Sequence, residues 1–104
     1  MVDVSDATFA EEVLASPIPV VVDFWAPRCR PCDAIEPHLR ALEEEWEGRA
    51  RFVRVNVEEN LATSGRYGVL SLPTVILFAG GDPKATVLGA QPRSRFERDL
   101  GAFV

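Results

Sequence analysis

The sequence predicts an α/β protein with a central mixed sheet between helices. Three observations predict it. Short β-rich runs alternate with helical patterns along the chain. The run Val20-Val21-Val22-Asp23-Phe24-Trp25 is almost continuously apolar, as expected of a strand covered on both faces. Near the end, two strand-like runs, Thr74–Phe78 and Lys84–Leu88, flank the tight turn signal Gly80-Gly81-Asp82-Pro83 and read as an antiparallel pair.

In chain order, Val2-Asp3-Val4 alternates like a short edge strand. Ser5 and Asp6 are candidate caps for a helix that places Phe9, Val13 and Leu14 on one side, and Ser16-Pro17-Ile18-Pro19 ends it. After the Val20–Trp25 strand, the next helix should start near Cys29 or Arg30 and run to about Trp46. Ile35, Leu39, Leu42 and Trp46 form its buried stripe, and Pro37 inside the pattern predicts a kink. Arg40 and Glu44 are spaced to meet on its exposed face. Glu47-Gly48-Arg49 closes it. Phe52–Val57 is a strand with Val53, Val55 and Val57 on one face, and Asn60 is a candidate cap for a short helix reaching Gly65. The last helix starts near Pro92 or Arg93, with Phe96, Leu100 and Phe103 towards the core.

The bulk numbers narrow the function classes. A chain of 104 residues, 47% apolar and 26% charged, is expected to form one domain over 1–104 and to bury its own core. A net charge of −5, with no lysine- or arginine-rich tract, argues against a nucleic-acid partner. Of the eleven basic residues only Lys84 is a lysine, a compositional bias. The apolar runs are far shorter than the ~20 residues that span a membrane. Met1–Asp6 lacks the basic start and apolar core of a secretory leader, so a reducing cytoplasm is the expected compartment.

The chemistry concentrates in Trp25-Ala26-Pro27-Arg28-Cys29-Arg30-Pro31-Cys32, which holds the only two cysteines. Cys29 falls where a strand hands over to a helix. There, unpaired N–H groups and the helix dipole favour a thiolate, and Arg28 and Arg30 add permanent positive charge. Pro31 suits the first helical turn because it has no N–H to leave unpaired. Two cysteines and one histidine are too few ligands for a structural zinc site, and so short a loop makes a weak static staple. A redox pair is the reading the spacing favours. Cys29, nearer the helix start and more exposed, is the expected nucleophile, with Cys32 the resolving thiol. His38 follows the kink with no second group at fixed spacing to orient it, and reads as a surface residue. Asp23 sits in an apolar strand, where burial would point to a functional carboxylate.

Taken together, Val22-Asp23-Phe24-Trp25-Ala26, Cys29, Pro31-Cys32, Pro37, Asn56-Val57, Tyr67-Gly68-Val69, Leu72-Pro73-Thr74, Phe78, Gly81 and Gly89 resemble the thioredoxin family over nearly the whole chain. The resemblance implies five strands, the last antiparallel, flanked by four helices. It implies a monomer that reduces disulfide-containing proteins through a Cys29–Cys32 dithiol and binds no cofactor. It also implies electrons drawn from NADPH through a separate flavin-containing thioredoxin reductase. Asp23 would be the buried carboxylate that assists Cys32, with a pKa raised by desolvation. Arg54 stands where the family usually carries a lysine near that carboxylate, either directed at Asp23 or an ordinary surface arginine. Pro73 would be held cis, with the backbone before it pairing with a bound peptide. Trp25, Ser71, Leu72 and Gly89 would border that groove.

Two residues depart from the family pattern at its centre. Arg28 replaces the usual tryptophan and Arg30 the usual glycine. Positive charge beside Cys29 stabilises the thiolate, hence the reduced form. One pKa unit corresponds to ~30 mV, so the potential is expected tens of mV above that of thioredoxin, the reference couple near ~−270 mV. A protein-disulfide reductase is therefore the leading function. A more oxidising isomerase, a glutathione-linked oxidoreductase and a redox-gated binding module stand as alternatives.

Overall fold

A β-strand of Val and Phe flanked by short connections must bury both faces, and the chain supplies a helical layer for each. The computed structural model describes residues 1–104. Its elements are β1 (Val2–Asp3), a helical turn (Ala10–Leu14), β2 (Val20–Trp25), α1 (Arg30–Glu45), β3 (Arg51–Asn56), α2 (Leu61–Arg66), β4 (Thr74–Ala79), β5 (Asp82–Leu88) and α3 (Arg93–Gly101). The five strands form one sheet in the order β1-β3-β2-β4-β5.

β1 and β2 both run parallel to β3, β4 is antiparallel to β2, and β5 is antiparallel to β4. The strand that opposes the other four is thus β4, whereas the expectation singled out the last strand. The six-residue α2 explains this. At ~1.5 Å per residue it is less than half as long as a six-residue strand at ~3.3 Å per residue. It cannot carry the chain back along the sheet, so β4 enters from the end where β3 leaves.

Alternation along β2 splits the interior into two layers. Val21 packs with Ile35, Leu39 and Leu42 of α1 and Phe96 and Leu100 of α3. Val20, Val22 and Phe24 pack on the other face with Phe9, Val13, Val53 and Val55. Asp23 and Trp25, in phase with Val21, belong to the α1 side.

Several local expectations change. The first helix is a single π-type turn, in which the Ala15 N–H donates to the Ala10 carbonyl at 2.9 Å. Ser5 starts it by accepting from the Thr8 and Phe9 N–H groups. Asp6 does not cap it. Its carboxylate caps α2 instead, accepting from the Thr63 hydroxyl at 2.6 Å and from the N–H groups of Thr63 at 2.9 Å and Ala62 at 3.3 Å. These bonds hold the Asp6 carboxyl below its ordinary range, the Thr63 hydroxyl most strongly. Asn60 spans between instead of capping, accepting from the Asp6 N–H and donating to the Asn56 carbonyl.

α1 continues through Pro37 and stops at Glu45, leaving the buried Trp46 just past its end. Arg40 pairs with Glu36 and not Glu44, through bonds of 2.8 and 3.1 Å; an acid four residues before a base is the better-oriented pair. β5 begins at Asp82 and not Lys84, because Gly80 (φ 61°) and Gly81 (φ 84°) close a two-residue hairpin turn with positive φ at both positions. Pro83 then falls at a register shift on an edge strand, where its missing N–H is tolerated. Phe103 is 41% exposed, since α3 ends at Gly101, and Val104 packs against the core instead. Val57, just past the end of β3, is only half-buried.

Candidate active site

β2 ends at Trp25, and four residues carry the chain from the C-terminal end of this central strand to α1. Arg28 makes that turn in the left-handed region, at φ 58°, the only non-glycine residue to do so. Such a conformation costs a side-chain-bearing residue about 1–2 kcal/mol and is held only where the surroundings impose it.

Cys29 caps α1. Its sulfur accepts from the Cys32 N–H at 3.3 Å, one of the donors that a helix start leaves unpaired. Cys29 and Cys32 form a disulfide, with their Cα atoms 5.2 Å apart. Cys29 is half-buried, whereas Cys32 is 4% exposed and lies on the stripe of α1 that continues through Ile35 and Leu39. Arg28, Arg30 and Pro31 are exposed, and neither arginine joins any of the ion pairs of the molecule. Two uncompensated cations therefore flank the more accessible sulfur.

Beneath this turn lies Asp23, 2% exposed, in the layer shared by β2 and α1. Burial pushes its carboxyl up to about 7; Arg54 opposes that rise and Glu36 adds to it. Oδ1 has no hydrogen-bond partner in the protein. Arg54 stands directly across from Asp23 in the β2–β3 register. Its charge opposes the rise at Asp23, as expected of an arginine near that carboxylate, but it forms no ion pair with Asp23 and is only partly exposed. Its guanidinium lies over the Trp25 ring, 3.9 Å from the centroid, with Nη1 3.8 Å from the Glu36 carboxylate. Trp25 is half-buried with its ring turned towards β3; no hydrogen bond or ring contact ties it to the Leu72–Pro73 turn.

That turn precedes β4. The Leu72–Pro73 peptide is cis. The Thr74 hydroxyl donates to the Ser71 carbonyl at 2.6 Å, and the Gly89 N–H donates to the Pro73 carbonyl at 3.0 Å. Gly89 has φ 80°, where a side chain is strained. The backbone N–H and C=O of Leu72 have no partner within the chain. An extended peptide would meet them as it would the edge of a strand.

The disulfide opens on a surface and not into a cavity. Hollows of about 470, 170 and 400 Å³ are lined elsewhere, the last by Trp25, Asn56 and Glu59 among others. No three His, Cys, Asp or Glu side chains gather as metal ligands. No helix is long and apolar enough to cross a membrane. The sequence reading missed Glu36, which only the fold brings beside Arg54. It also missed Leu70, 97% exposed and two residues before Leu72.

Comparison with known proteins bears on the whole chain. Residues 1–102 match the thioredoxin family model. The thioredoxin of the red alga Porphyra purpurea is 40% identical over 101 residues, covering 97% of this chain and 94% of its own. The thioredoxin of Synechocystis is 41% identical with the same coverage, 97% and 94%. Thioredoxin M2, chloroplastic, of Arabidopsis thaliana is 42% identical over 97% of this chain, which spans only 54% of that longer relative. Thioredoxin M4, chloroplastic, of the same plant is likewise spanned for about half its length, 53%. The chain belongs to the thioredoxin family, and its Cys29–Cys32 pair makes it a thiol–disulfide oxidoreductase of the thioredoxin type.

Proposed function

We propose that this chain reduces disulfides in other proteins, with Cys29 as nucleophile, Cys32 as resolving thiol and Asp23 as the proton acceptor for Cys32. The carrying observation is the asymmetry of the pair. Cys29 is half-buried, its sulfur accepts a helix-start N–H and its chain neighbours are two unpaired, exposed arginines, whereas Cys32 is buried on α1. In the reduced protein the Cys29 thiolate attacks one sulfur of a substrate disulfide. A mixed disulfide forms, and the other substrate sulfur leaves as a thiolate that takes a proton from water. Cys32 gives its proton to the Asp23 carboxylate and attacks the Cys29 sulfur. That step releases the second substrate thiolate and closes the Cys29–Cys32 disulfide. The substrate gains two electrons and the dithiol loses two.

Substrate docks, in this reading, along the free backbone of Leu72, with Ser71, Pro73 and Gly89 bordering the groove. Backbone pairing reads a main chain and not a side-chain sequence, which suits a broad set of protein disulfides. The absence of a hollow at the disulfide favours a macromolecular substrate over a small thiol held in a pocket. Electrons return from NADPH through a separate flavin-containing thioredoxin reductase, in a reducing cytoplasm, with the chain acting as a monomer. The unpaired Arg28 and Arg30 favour a second reading, a more oxidising couple serviced by glutathione.

Turnover separates the two readings. With a disulfide-linked protein as substrate, NADPH and thioredoxin reductase are expected to sustain many cycles, and glutathione with glutathione reductase at least tenfold fewer. The reverse ranking would move the function to the glutathione-linked reading. Single-turnover behaviour with both systems would leave a redox-gated binding module.

A further inference from the structure

The cation nearest Asp23 is turned away from it. Arg54 and Asp23 are register partners on adjacent parallel strands, on the face of the sheet that α1 covers. A guanidinium so placed would ordinarily be drawn to a buried carboxylate, since opposite charges attract most strongly where water is scarce. Asp23 Oδ1 and Arg54 Nε are nevertheless both buried without partners. The guanidinium lies instead over the Trp25 ring, and its outer nitrogen leans to Glu36. Glu36 is itself held by Arg40, one turn along α1, whose Nε and Nη2 donate to the same Oε1 that faces Arg54.

We propose that Glu36 is a positioning residue for the redox reaction: held by Arg40, its carboxylate draws the Arg54 guanidinium outward onto Trp25 and keeps that cation from pairing with Asp23. Two carboxylates thus compete for one cation, and the half-exposed one holds it. Glu36 accepts the two Arg40 bonds and has Arg54 nearby, so its own carboxyl lies below the usual range and stays charged throughout the working pH. The other elements around Asp23 add no competing charge. β4 presents Val75 across from it, and α3 contributes Phe96 and Leu100 to the same layer. From α1 the only other ionisable neighbour in the layer is Cys32 itself. The consequence is a buried carboxyl that exchanges its proton near neutrality, where Cys32 needs it.

This inference rests on Asp23 as the proton acceptor only for its effect on rate, and the test separates the two. The Asp23 carboxyl is titrated by carbon NMR in the oxidised full chain, with the amide spectrum reporting the fold. Glu36→Gln is expected to lower the Asp23 midpoint by about one pH unit, because a negative neighbour is lost and Arg54 is free to turn inward. Glu36→Asp, which keeps the charge, should recover most of that shift. In an Arg54→Met background the Glu36→Gln shift should fall to less than half, since there is no cation left to reposition. An unmoved midpoint in Glu36→Gln, or an equal shift with and without Arg54, would overturn the proposal. In turnover, the half-maximal pH of mixed-disulfide resolution should follow the midpoint downward. A midpoint that moves while this profile stays put overturns Asp23 as the proton acceptor, not the positioning of Arg54.

Discussion

Cys32→Ser is expected to accumulate a covalent adduct between Cys29 and its protein substrate, and Cys29→Ser to form none. Turnover should fall by about a thousand-fold or more in both, since the two sulfurs act as one unit. The prediction comes from where each sulfur sits. Cys29 caps α1 and is half-buried, with its sulfur facing a backbone donor and unpaired cations on either side. Cys32 is 4% exposed and faces the interior of the α1 layer, so a substrate cannot reach it but Cys29 can. With serine at 32 the mixed disulfide forms and has no resolving thiol. Mass spectrometry of the trapped species, with and without a reducing agent, measures it directly. Equal adduct yields from the two variants would remove the assignment of nucleophile and resolving thiol.

Asp23→Asn is expected to stabilise the oxidised protein above neutral pH while slowing it. Burial raises the Asp23 carboxyl from 3.8 to about 7, Arg54 reduces that rise, and Glu36 adds to it. Between those two values the folded protein keeps a proton that the unfolded chain has released. Stability therefore falls as pH rises through that window, and the loss is complete above about 7. Its size is on the order of 4 kcal/mol. Asparagine carries no such charge, so the variant should be level across the window, close to the parent at pH 4 and several kcal/mol more stable at pH 8. Urea unfolding of the oxidised protein across that range measures it; parallel profiles for parent and variant would contradict it. With Asp23 the proposed proton acceptor, the same substitution should slow resolution of the mixed disulfide at pH 7 by roughly ten- to a hundred-fold.

Much of this site was legible in the residues. The near-continuous apolar run up to Trp25 marked β2 as a strand buried on both faces. A carboxylate inside such a run is either a partly exposed strand-end charge or a costly buried one, and at 2% exposed Asp23 is the buried one. Pro31 and the cysteine before it marked the start of α1, since both residue types suit positions where N–H groups go unpaired. The rest was hidden because it depends on partners distant in sequence. Asp6 looks like a cap for the residues that follow it, but the fold delivers its carboxylate to α2, whose first turn offers three donors. Asn60 is thereby freed to bind the Asp6 backbone. Arg54 could be placed on the Asp23 face by alternation with Val53 and Val55. Its direction could not be read, because a long side chain settles among the Trp25 ring, Glu36 and Asp23 by three-body competition. Helical spacing also carried the Phe96–Leu100 stripe one step too far, to Phe103, which lies beyond the end of α3. Periodicity states which face a residue would take, not where the helix stops.

The equilibrium reduction potential of the Cys29–Cys32 pair decides whether it is a working redox couple or a structural staple. The oxidised and reduced proteins are equilibrated against dithiol or glutathione buffers and read by Trp25 and Trp46 fluorescence or by thiol trapping. A freely reversible two-electron couple is expected, tens of mV above the reference value of ~−270 mV, because uncompensated Arg28 and Arg30 favour the Cys29 thiolate. A pair that stays oxidised below ~−300 mV, as structural disulfides do, would contradict it.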